Sequence, residues 1–149
     1  MGSDPYAAGK FAANPYARKS PVDGELVVVL QGRMEDRGLS LITPISRCLR
    51  RHDVHELILT DEAGAGPGRK VDRIAYLGFF AVARGGVIVS GDEVSLGGRA
   101  VGVLAGFDET HMPNHLNIVI RTDRLLTGVE QGAPLGATVS FRLPGEGGE

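Results

Sequence analysis

Tryptophan is absent from this chain, and cysteine occurs once, at Cys48. A lone thiol excludes an internal disulfide framework and a metal site built from cysteines. No apolar run approaches the roughly 18 residues a membrane-spanning helix needs, so no membrane association is expected. Neither sign of charge dominates. Sixteen Lys and Arg face 18 Asp and Glu, for a formal charge of −2, so there is no global basic field and nucleic acid is not an expected partner. The first residues lack the basic-then-apolar order of a signal peptide, and the cytoplasm is the expected compartment. No segment carries a helix period of convincing length.

Glycine is plentiful instead, with 22 residues among 149. Glycine on that scale favours many tight turns between short strands. The 42% hydrophobic and 23% charged shares are ordinary for one globular domain with a sizeable core.

Residues 1–23 stand apart. Tyr6, Phe11 and Tyr16 are three of eight aromatics in the chain, set among Pro5, Pro15 and Pro21. A solvated tail gains nothing from large aromatics. Two readings stay open: a loose tail, or an arm that docks on its own domain or on a second copy and makes a homo-oligomer. From about residue 24 the strand signals begin. Glu25–Met34, Leu39–Ile45, Glu56–Thr60 and Arg73–Val82 are rich in β-branched or aromatic residues, as strands are. Arg47–His55 reads as a short helix or loop, and Asp61–Lys70 as a loop. Gly86–Ser90, Asp92–Leu96 and Arg99–Phe107 are separated by Gly91 and Gly97–Gly98, a hairpin pattern. Leu116–Thr122 and Ala137–Leu143 alternate apolar and polar residues, as half-buried strands do. The fold expected over 24–144 is all-β with little helix, closed into a small barrel because closure removes exposed strand edges. Residues 145–149 read as a frayed tail.

The C-terminal half adds a resemblance. Ser90–Phe107 (SGDEVSLGGRAVGVLAGF), His115–Ile120 (HLNIVI) and Pro134–Leu143 (PLGATVSFRL) resemble, in order and pattern, the glucitol/sorbitol-specific IIA component of the bacterial sugar phosphotransferase system. The resemblance covers about 60 residues. It implies a small closed β-barrel with swapped hairpins. The histidine-rich strand of that family corresponds here to Glu56–Glu62, which has no histidine. Only His115 falls at a family histidine position, so a phosphocarrier role would rest on His115 alone and ranks last.

Two clusters hold all four histidines. Phe107–His115 (FDETHMPNH) brings Asp108, Glu109, His111 and His115 into one loop, and Arg51–Glu56 (RHDVHE) holds His52, Asp53, His55 and Glu56. Imidazole and carboxylate groups suit zinc or another divalent first-row ion. Pro113 and Asn114 favour a turn that draws His111 and His115 together. The candidate metal ligands are His111, His115 and Glu109, joined by His52 and His55 if the clusters meet. Without metal, His111, His115 and Glu109 would act as general acid and base. The bland alternatives are surface histidines at 52 and 55 and structural hydrogen bonds at 111 and 115. Gly64–Lys70 (GAGPGRK) lacks the ending of a phosphate-binding loop and reads as a surface loop. Cys48, beside Arg47, Arg50 and Arg51, reads as inert, and Ala75–Phe80 as core, with Tyr76 and Phe79 available to a ligand at a barrel mouth.

The expected function is therefore a small-molecule enzyme or binding protein with a metal or acid–base site. The competing expectation is a non-catalytic assembly module working through the arm.

Overall fold

The structure is a computed structural model and describes residues 19–145. The aromatics of the arm and the final EGGE lie outside the described residues. Twelve strands and no helix occur among the described residues. They are β1 (Val22–Val29), β2 (Arg33–Met34), β3 (Leu39–Ser40), β4 (Ser46–Leu49), β5 (Val54–Thr60), β6 (Lys70–Val71), β7 (Ile74–Arg84), β8 (Gly86–Val89), β9 (Glu93–Leu96), β10 (Arg99–Asp108), β11 (Asn117–Arg121) and β12 (Thr138–Arg142).

The main sheet runs β1-β12-β9-β10-β11-β5-β7, with β2 beyond β7, and β1 also pairs with β7. The seven-strand succession thus returns to its start, so neither long edge is left open. All contacts in the ring are antiparallel except β5 with β11. Leu26, Leu57, Leu59, Phe80, Leu104, Phe107, Ile118 and Phe141 belong to one large apolar cluster that the ring surrounds. Gly78 lets β1 approach β7: a methyl there would strike the Val28 carbonyl oxygen.

A second, smaller layer lies outside the ring. The β3–β6 pair and its flanking loops place Leu39, Leu41, Ala65 and Val71 against Ile58, Val119 and Ile74. This layer changes the reading of β11. Its alternation predicts one solvated face, yet Asn117, Ile118, Val119 and Ile120 are all buried. The outer layer covers the second face, as is usual for strands in parallel pairs.

Other expectations shift as well. Arg47–His55 is neither helix nor mere loop: β4 and the start of β5 occupy it, joined by a turn at His52. Only Leu39–Ser40 of the expected Leu39–Ile45 strand forms a ladder; beyond it the Leu41 and Ile42 amides donate to the Arg69 and Phe107 carbonyls. The Gly97–Gly98 hairpin forms, with both glycines at positive φ. Across Gly91, however, β8 and β9 do not pair, and β8 turns away to β4. β1 begins at Val22, inside the segment assigned to the arm.

Candidate functional site

The parallel pairing decides which side chains meet. On β5, Leu57 and Leu59 face the ring interior, while Glu56 and Ile58 face outward. Register places Asp108 opposite Asn117, Asn117 opposite Glu56, and Glu56 opposite Phe79. Four strands therefore present one row across the outer face: Asp108, Asn117, Glu56 and Phe79. The next row, Gly106, Val119, Ile58 and Tyr76, packs under the outer layer.

His115 stands just ahead of β11 and leans over this row. Its Nε2 lies 3.3 Å from Glu56 Oε1, with both side chains largely buried. Its Nδ1 is 2.7 Å from Asn114 Oδ1. Its ring meets the Phe79 ring edge-on at 5.1 Å and lies 5.1 Å from the His111 ring. The turn is closed by the Asn114 amide donating to the His111 carbonyl. Its Met112–Pro113 peptide is cis.

The electrostatics follow from burial. Glu56 is 8% exposed. Burial pushes its carboxyl above the ordinary carboxylate range, opposed by His115, His111 and Arg37. Arg37 is itself held by the Tyr76 hydroxyl, which accepts from its Nε at 3.1 Å. Asp108 behaves differently. Burial pushes it up too, but hydrogen bonds from Thr110, from the Ser40 amide and from Asn117 outweigh this and hold it low. One row thus carries two carboxyls that its surroundings push apart, Asp108 held low and Glu56 raised.

With Asn114 Oδ1 accepting from Nδ1, His115 directs its Nε2 at Glu56. Nε2 has no hydrogen-bond partner of good geometry, and neither does Asn117 Oδ1. An imidazole nitrogen and a carboxyl facing each other at 3.3 Å, largely out of water, meet the geometric requirement of a general acid–base pair.

The other sequence candidates separate. Glu109 pairs with Arg47 at 2.5 Å. Both line an open groove of about 590 Å³ with Ser40, Leu41, Ile42 and Gly68. His55 lies next to the pair, but its Nδ1 accepts the Leu116 amide at 3.0 Å. Burial holds its ring below the ordinary imidazole range, opposed by Asp53. His52 is exposed in the β4–β5 turn, at a φ of 79°, with its amide donating to Val82. Among the described residues no group of three or more His, Cys, Asp or Glu is placed to hold a metal ion.

Residues 16–142 match the model of a family described as a family of unknown function, DUF6917. The chain belongs to that family. The match spans the whole ring of strands and both histidine clusters. No curated protein and no solved structure matches the chain.

Sequence reasoning placed His111 and His115 together and missed the partner. Glu56 was visible as a carboxylate inside the apolar strand VHELILT, a position a solvated residue does not take. The signal was a buried charge, and its use depended on the pairing of β5 with β11.

Proposed function

We propose that this protein binds a small molecule and performs acid–base chemistry on it with Glu56 and His115, with His111 at the rim. The observation that carries this reading is a buried imidazole nitrogen, His115 Nε2, that faces the buried Glu56 carboxyl at 3.3 Å without a hydrogen bond of good geometry. Buried polar atoms are normally satisfied, and exceptions concentrate where a ligand or a reaction completes them. The role first assigned to Glu109 passes to Glu56. Glu109 answers Arg47, and with His55 committed to Leu116 a site for zinc or another divalent ion has little left to build on. We read the ring of strands as a small closed barrel. The unbroken succession of pairings supports this, and the resemblance to the sorbitol-specific IIA component would belong at that level of fold, swapped hairpins included.

The test is a thermal-shift screen of the purified full chain against small hydroxy, carbonyl and phosphorylated compounds, repeated on Glu56→Gln and His115→Leu. A compound that raises the melting temperature of the wild type and of neither variant is the expected result. Finding no such compound, or equal shifts in all three proteins, overturns the reading.

A second reading is assembly through the N-terminal segment, whose three aromatics gain nothing in solvent. Lys19 Nζ reaches Asp92 at 2.9 Å with both side chains buried, which ties the chain down just before β1. Removing residues 2–17 and measuring the mass in solution tests it. An unchanged mass removes it.

A further inference from the structure

We infer that His55 is the positioning residue for His115, gripping the start of β11 through the hydrogen bond from the Leu116 amide to its Nδ1. This rests on the acid–base reading of Glu56 and His115.

The peptide after His115 is held from two sides by consecutive residues of β5. The Leu116 N–H donates to His55 Nδ1 at 3.0 Å, and the Leu116 carbonyl accepts from the Glu56 N–H at 3.0 Å. One grip is a side chain and the other is backbone. The regular register of β11 on β5 begins only at the next residue, Asn117. At Leu116 the imidazole supplies the acceptor, in a buried setting where an unsatisfied N–H is costly. Because the two grips come from neighbouring residues, the arrangement that seats Leu116 also sets Glu56 against the His115 ring.

The role demands one form of His55. Nδ1 must carry a lone pair, so the neutral ring has its proton on Nε2, which lies 3.6 Å from Asp53 Oδ2. The ionisable groups facing the ring are Asp53, Arg47 and His115, and burial favours its neutral state. The same hydrogen bond accounts for a histidine that sequence reasoning offered as a metal ligand.

The experiment needs no ligand, so its outcome is independent of the compound screen. In the wild type, a nitrogen–nitrogen scalar coupling between the Leu116 amide and His55 Nδ1 is expected, and its absence overturns the inference. His55→Asn keeps an acceptor where Nδ1 sits, and His55→Leu keeps bulk without one. In His55→Leu the Leu116 amide is expected to exchange roughly tenfold to a hundredfold faster. The Overhauser contact between the His115 and Phe79 rings is expected to weaken in the same variant. His55→Asn is expected to restore both to near wild-type values. A folded His55→Leu protein that keeps both signals overturns the inference, as does a folded His55→Asn protein that loses both. If His55→Leu does not fold, the wild-type coupling and His55→Asn still decide. If the coupling is present and the screen finds nothing, the grip stands and the acid–base reading falls.

Discussion

The two faces of β5 and β11 are both buried, and they are built on different principles. The inner face offers Leu57, Leu59, Ile118 and Ile120 to the large apolar cluster. The outer face begins the same way, with Ile58 and Val119 under Leu39, Leu41 and Val71. One row further along it becomes Glu56 and Asn117, flanked by Asp108, His115 and Phe79. The inner face holds the ring together through dispersion and dehydration, which are insensitive to pH. The outer row costs desolvation and recovers part of it through specific hydrogen bonds. A protein gains no stability from a buried acid that apolar packing would not supply better, so the polar row is where function is to be sought.

The largest losses of stability are expected on the inner face. Phe107→Ala is expected to cost about 3–5 kcal/mol by chemical denaturation, because a fully buried ring leaves a cavity in the enclosed cluster. Gly78→Ala, which forces a methyl against the Val28 carbonyl across two strands, is expected to cost about 1–3 kcal/mol on the same measurement. Ile58→Val, on the capped part of the outer face, is expected to cost about 1 kcal/mol. A much smaller loss there would mean that the outer layer does not pack on the ring.

The polar row is expected to respond to pH instead. The Glu56 carboxyl is raised in the folded protein, so its contribution is most favourable below its ordinary value of 4.5 and is lost as pH rises through the folded value. Glu56→Gln is therefore expected to be as stable as the wild type or more stable at neutral pH, with the difference shrinking on acidification. His55 works in the opposite direction. Its ring is depressed below the ordinary 6.5, so its contribution is present above 6.5 and is lost as pH falls toward the folded value. Melting curves of wild type and His55→Asn between pH 7.5 and pH 5 are expected to converge as the pH drops (an experimental range chosen to bracket the roughly 6.5 of free imidazole). The smallest effect is expected at Arg47→Ala, which breaks an exposed pair with Glu109 and is expected to change stability by about 0.5 kcal/mol or less.

Much of the strand content was legible in the sequence because β-branched runs and glycine turns act locally. Glu56–Thr60, Gly86–Ser90 and Arg99–Phe107 fall within a residue or two of β5, β8 and β10. What was not legible is everything that depends on partners. The alternation of Leu116–Thr122 predicts a wet face, and no local signal reports that the loops around β3 and β6 return to cover it. The site divides along the same line. His111 and His115 are four residues apart, so a turn suffices to join them. Glu56 lies 59 positions before His115 in the chain and meets it only because β5 and β11 pair in parallel. Glu109 sat nearer in sequence and was a natural choice, but Arg47 of β4 draws it to the groove instead.

The central claim is that burial raises the Glu56 carboxyl above its ordinary range and that His115 opposes the rise. Following the Glu56 side-chain carboxyl carbon by NMR through an acid titration, in wild type and in His115→Leu, tests it most directly. The account predicts a midpoint above 4.5 in the wild type and a higher one in the variant, where the countering ring is gone. A midpoint at 4.5 that does not move between the two proteins would contradict it.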